Sequence, residues 1–236
     1  MTIFWRMLLA HLLADFTLQF DIVNRLKRKN MLGMWIHCLT HVVVSLALTW
    51  NHLSETWFSA WGTPVNGWGA IALMFAVHYG IDELRIYSMK RGYRDNTVSF
   101  LTDQAAHVYL LFMICPVSMG ASASVTGEKW AAIASLLVLI THFTTVLIYF
   151  LEKDIFGKSF PDFDEKYFLI FERLVVWAFF FASGYWWVPF AALWIVQLLY
   201  IKRKRIMDLS GLNVWVSVAM SVAMGLCTRY VYYGSL

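Results

Sequence analysis

Histidine and aspartate recur at helical spacing four times in the first half of the chain. His11, Asp15 and Gln19 stand at i, i+4 and i+8, while His37 with His41, His78 with Asp82, and Asp103 with His107 are each four apart. Residues at that spacing share one face of an α-helix. Imidazole nitrogens and carboxylate oxygens projecting into a helix bundle are ligands for a divalent metal, zinc, iron or manganese, and ligand type does not distinguish these three. The eight residues His11, Asp15, His37, His41, His78, Asp82, Asp103 and His107 are therefore the candidate metal ligands. One metal could take the imidazoles with the carboxylates orienting them, or two metals could share the set. Asp15 and Asp82 are the candidate catalytic groups, because metal-assisted hydrolysis needs a base to take a proton from water. Gln19, Gln104, Arg85 and Arg91 are the candidate substrate-binding residues: two amides near the mouth of the site, and two guanidiniums suited to an anionic headgroup.

The elements that must position these residues follow from composition. Of 236 residues 60% are hydrophobic and only 14% charged, which excludes an ordinary water-soluble domain. An apolar segment of about 20 residues crosses a bilayer as a helix. The apolar runs predict an all-α, polytopic transmembrane bundle of about eight spans, near 3–22, 31–50, 68–88, 97–119, 129–151, 167–185, 187–201 and 212–233. The seventh is the shortest and follows Ser183-Gly184 with almost no loop. Two domains are expected: 1–120, with the His/Asp constellation, and 121–236, a scaffold whose helices five to eight could dock a membrane partner. The net charge of +4 is a matter of distribution in such a chain, and no nucleic-acid partner is expected. Cys38, Cys115 and Cys227 lie in apolar runs and read as small core residues, with no thiolate expected at the metal site. His11 and Asp15 interrupt the first apolar run, so no cleavable signal peptide is expected.

Lys and Arg set the orientation, since cytoplasmic loops hold their excess. Arg25, Lys27, Arg28 and Lys29 fill the first connection, Arg85, Lys90, Arg91 and Arg94 border the third, Lys153, Lys158 and Lys166 the fifth, and Lys202 to Arg205 the seventh. Both termini are then expected outside. Trp5, Trp50, Trp57, Trp61, Trp68, Trp130, Trp186 and Trp187 fall at the outer ends, as interfacial tryptophans do. Counted from the cytoplasmic ends, Asp15, His37, Asp82 and Asp103 lie roughly 9 to 10 Å deep, and His11, His41, His78 and His107 about 15 Å deep. The same register hints at a repeat. His11 to His78 and Asp15 to Asp82 are each 67 positions, His37 to Asp103 and His41 to His107 each 66, which predicts two helical hairpins related by a pseudo-twofold axis along the membrane normal. Glu172 and Arg173 are expected to form an ion pair, and the acidic stretch from Glu152 to Lys166 a solvated connection.

The run Leu9-Ala10-His11-Leu12-Leu13-Ala14-Asp15-Phe16, Gln19, the pair His37 and His41, His78-Tyr79-Gly80-Ile81-Asp82, and Asp103-Gln104 with His107 together resemble a bacterial family of integral membrane proteins known as domain of unknown function 3307. The resemblance covers about the first half of the chain; it implies a bacterial inner-membrane protein and no particular activity. Three functions stay open. One is a metal-dependent hydrolase of a lipid-linked or phosphate-bearing substrate reached from the cytoplasmic face; a second is a cation or proton-coupled transporter, disfavoured by the lack of matched Gly or Pro breaks in the first four helices; the third is a structural subunit with a polar core.

Overall fold

The computed structural model describes residues 2–19, 21–116, 128–159, 163–204 and 210–234. Two compact units divide the chain, Met1–Ser135 and Leu136–Leu236.

The first unit opens with α1 (Thr2–Leu12), which passes into a single π-helical turn, Leu13–Thr17. A short helix, α2 (Asp21–Lys29), follows and lies against α3 (Met31–Thr49). Gly33 makes that approach possible: a Cβ there would stand 2.2 Å from the backbone carbon of Leu26. A two-stranded hairpin, β1 (Thr56–Ala60) and β2 (Thr63–Asn66), leads into α4 (Gly67–Lys90), and α5 (Thr97–Ile114) completes the set around the site. Trp61 and Gly62 turn the hairpin with φ of 50° and 81°, the left-handed conformation a two-residue hairpin loop requires. Asparagine starts three helices: the side chains of Asn30, Asn66 and Asn96 accept from the amides of Gly33, Gly69 and Ser99 at 2.8, 3.1 and 2.9 Å. Each bond satisfies an amide that the helix cannot, worth about 1 kcal/mol.

The second unit takes the end of α6 (Lys129–Val138), a π-turn at Leu139–Phe143, α7 (Thr144–Phe156), α8 (Phe163–Phe179), α9 (Trp187–Arg203) and α10 (Gly211–Tyr233). Gly225 lets α10 close on α8, since a Cβ there would meet the Phe180 ring at 2.3 Å. Arg229 on α10 donates to the carbonyls of Phe180, Ala182 and Gly184 at 3.1, 2.8 and 3.0 Å. These are groups that the end of α8 and the turn after it leave without helical partners.

Among the described residues, four helices are long and apolar enough to cross a membrane: Met31–His52, Thr97–Ile114, Lys129–Phe156 and Gly211–Tyr233. Four such helices suit a multi-pass membrane protein, and the described residues are all-α apart from the hairpin. Several local expectations are corrected. The first helix is not uniform to residue 22, because the π-turn intervenes. The first basic connection is largely the helix α2. Trp57 is buried, its Nε1 donating to the His52 carbonyl at 3.0 Å, so it anchors the hairpin and faces no lipid. Glu172 and Arg173 do not pair: Glu172 accepts from Trp194 Nε1 at 2.7 Å, while Arg173 turns to other helices. Consecutive helical positions point about 100° apart. Arg205, Pro161, Asp162 and Ser124 lie outside the described residues.

Candidate metal centre

All eight His and Asp residues of the constellation meet inside the first unit. Two apolar layers enclose them. Met7, Met74 and Leu111, each one helical turn from His11, His78 and His107, belong to the core on one side, and Met34, Cys38 and Ile86 to that on the other. The imidazoles are almost fully buried, His37, His41 and His107 at 1% exposure and His78 at 2%. Ring centroids of His41 and His78 stand 4.0 Å apart, and those of His78 and His107 4.2 Å.

Asp15, on the π-turn, is the hub. Its Oδ1 lies 3.0 Å from His41 Nε2 and 3.3 Å from His37 Nε2, and its Oδ2 accepts from Gln104 Nε2 at 3.0 Å. His37 Nε2 stands also 3.2 Å from Asp82 Oδ2 and 3.3 Å from His78 Nε2. An imidazole nitrogen carries at most one hydrogen, so three acceptor atoms around His37 Nε2 cannot all be satisfied by it. Four donor atoms, from Asp15, His37, His41 and His78, lie within 4.8 Å of one another. Three of the six edges of this set, 3.0 to 3.3 Å, are close to those of a tetrahedron around a metal with bonds of about 2.0–2.1 Å, roughly 3.3–3.4 Å, and the other three lie within 4.8 Å.

Charge points the same way. Asp82 has the ammonium of Lys27 at 2.7 Å, and Asp103 the guanidinium of Arg85 at 3.1 Å. Among the described residues no Lys or Arg reaches Asp15, whose side chain is 8% exposed. A carboxylate buried without a cation is costly, and imidazole-rich surroundings suit a divalent ion there.

Asp82, Asp103 and His107 form a second ligand-capable group, and Cys38, His78 and Asp82 a third. His107 Nδ1 donates to the Asp103 carbonyl at 2.9 Å, which fixes the tautomer and leaves Nε2 with a lone pair; that atom is buried and has no partner among the described residues. His11 is in none of the three groups. Gln104 Nε2 donates to Asp15 and, at 3.2 Å, to Asp103, so its Oε1 accepts from His11 Nε2 at 3.3 Å. His11 thus reaches Asp15 through the amide, and its Nε2 also stands 3.6 Å from Asp15 Oδ2. Among the substrate-binding candidates, Gln104 is in the cluster, Gln19 is half-buried beyond the π-turn, Arg85 is engaged by Asp103 and Asp95, and Arg91 is exposed with its guanidinium over the Tyr87 ring.

Lys27, Asp95 and Cys38 joined the site without any signal that singled them out. Lys27 stood in a basic run that reads as a topology signal. Asp95 bridges Arg85 at 2.9 Å and Arg28 at 3.3 Å, tying α2 to the start of α5 through residues far apart in sequence. Cys38 follows His37 directly, and its sulfur lies within 4.8 Å of donor atoms of His78 and Asp82, so a thiol is present at the site's edge where none was expected.

No curated protein and no solved structure matches the chain. The family model for DUF3307, described as a protein of unknown function, matches residues 3–134, the segment that contains every residue of the constellation. The chain belongs to the DUF3307 family.

Proposed function

We propose that this protein binds a divalent metal at the Asp15, His37, His41 and His78 group and uses it to hydrolyse a lipid-linked or phosphate-bearing substrate. The carrying observation is Asp15: a buried carboxylate beside three imidazoles and, among the described residues, without a Lys or Arg. When bound, the metal lowers the pKa of a water and polarises the scissile group. Zinc, iron and manganese all suit this ligand set. The chain's own residues supply the rest. Gln104 holds Asp15 in place, Asp82 or the Nε2 of His107 accepts the proton from water, and Lys27 and Arg85 orient the neighbouring carboxylates Asp82 and Asp103. Arg91, exposed beyond the site, contributes charge attraction to an anionic headgroup.

The setting belongs to the same proposal: a bacterial inner membrane, eight spans with both termini outside, the first four helices forming two hairpins about a pseudo-twofold axis, and helices five to eight as a scaffold or docking surface for a membrane partner. The alternating Lys and Arg clusters and the 67- and 66-residue registers support it.

One observation favours a second reading, cation or proton-coupled transport. Asp15 sits on a π-turn, an interruption that needs neither Gly nor Pro and recurs at functional sites. Incubation of the purified protein with a lipid extract, with and without chelator, and mass spectrometry of the products separates the two. Hydrolysis predicts a lipid consumed only in the metal-loaded protein and no turnover by Asp82→Asn. Metal-dependent cation flux in proteoliposomes with no lipid consumed replaces the hydrolase by the transporter.

A further inference from the structure

The second unit holds a buried cation that the metal site does not involve. Arg173 on α8 is 2% exposed, and each of its partners is neutral. Nη1 donates to Ser217 Oγ at 3.3 Å, Nη2 donates to the Thr141 carbonyl at 3.2 Å and to the Thr145 hydroxyl, and Nε is buried without a partner among the described residues. The π-turn at Leu139–Phe143 contains Thr141, one of these acceptors. Among the described residues no carboxylate lies within ion-pair distance of Arg173. Glu172 faces Trp194, and Glu152 on α7 accepts from the Ser210 hydroxyl and stands 3.7 Å from Lys158. Guanidinium does not deprotonate in proteins, so its charge persists inside the bundle.

Beside the guanidinium lies a small cavity lined by Thr145, Ile148, Lys166, Leu169, Arg173 and Asn213. It has room for about one water-sized particle. The lining is mostly apolar, and Arg173 is the buried cation beside it. Asn213 Oδ1 already accepts from Ser217 Oγ at 3.3 Å, which leaves the amide nitrogen for the cavity. Asn213 is also the third residue of α10, after the cap Ser210, where the helix presents positive potential. A water molecule fits this space but, among the described residues, leaves the charge of Arg173 without a carboxylate.

We propose that the cavity binds a small monovalent anion of halide size, with chloride as the abundant member of that class. Arg173 supplies the charge and the Asn213 amide a further donor, while the Thr145 hydroxyl, which donates to the Thr141 carbonyl at 2.8 Å, holds the guanidinium in place as an acceptor. The site is independent of the metal centre and stands whether or not that centre binds metal.

The test uses the full chain in detergent, transferred to gluconate buffer and titrated with chloride or bromide at constant ionic strength. Both halides should raise the melting temperature saturably, gluconate should not, and bromide should appear beside Arg173 by anomalous scattering in crystals. Arg173→Gln should lose the response. Because that variant also breaks the bridge to Thr141, Thr145 and Ser217, Asn213→Asp is the decisive one. It places a carboxylate at an early α10 position where negative charge favours the helix, and it supplies the missing counter-charge within the site. Asn213→Asp should melt in gluconate near the wild-type temperature in saturating chloride, with apparent halide affinity lowered roughly tenfold or more, the cost of losing one charge-assisted contact. An equal halide response in Asn213→Asp and wild type, equal stabilisation by gluconate, or saturable stabilisation by inorganic phosphate and not by chloride would each overturn the assignment.

Discussion

Asp15→Asn removes the one carboxylate of the cluster that, among the described residues, no Lys or Arg reaches, while keeping its size. In the metal-free protein two effects oppose each other. Charge-assisted hydrogen bonds from His41 and Gln104 weaken, at about 1.5–3 kcal/mol each, and the cost of burying an ion, several kcal/mol, is relieved. With chelator the variant should therefore lie within about 1 kcal/mol of wild type. Metal changes the comparison. At a concentration one hundred times Kd, wild type gains about 2.7 kcal/mol. A loss of about 100-fold in affinity puts the variant at its own Kd, where it gains only about 0.4 kcal/mol. At about 2–4 °C per kcal/mol for a chain of this size, a metal-induced shift of roughly 5–11 °C falls to roughly 1–2 °C. Thermal melting in detergent, with chelator and then with zinc, iron(II) or manganese, reads both quantities. Equal metal-induced shifts in the two proteins would refute the reasoning. So would a loss above about 3 kcal/mol in chelator, which is the signature of a structural link and not of an ion site.

Lys27→Met should cost about 3–5 kcal/mol in chelator, because Asp82 loses the ammonium 2.7 Å away, and metal should restore most of it; melting curves with and without metal check this. Gly33→Ala should destabilise by about 1–3 kcal/mol, since its Cβ would sit 2.2 Å from Leu26 backbone. The displaced α2 should then show faster tryptic cleavage between Arg25 and Lys29. Reporter fusions after Asn30, Arg94 and Arg205 should read cytoplasmic, and fusions after Asn66 and Ser124 external; a cytoplasmic C-terminus would remove one of the last three spans.

The polar constellation was legible because a helix repeats its faces every three to four residues, so His and Asp four apart had to share a face wherever the helices stood. Periodicity also explains what stayed hidden. The π-turn at Leu13–Thr17 contains no Gly or Pro, and nothing local distinguishes its sequence from more α-helix. Lys27 was invisible as a site residue because positive charge next to a span serves topology first, and only the packing of α2 on Gly33 turns its ammonium toward Asp82. Gln104 was legible as a neighbour of the site, but its part as the link between His11, Asp15 and Asp103 depends on side-chain direction that spacing cannot give. Glu172 and Arg173 misled for the same reason: adjacency in sequence is divergence on a helix.

Elemental analysis of the full chain, purified in detergent without added chelator, tests the metal centre most directly. About one or two divalent ions per chain are expected, the number falling in Asp15→Asn and in His78→Ala while both variants remain folded. Metal well below one ion per chain after reconstitution with zinc, iron and manganese in turn, or a content unchanged in both variants, would contradict it.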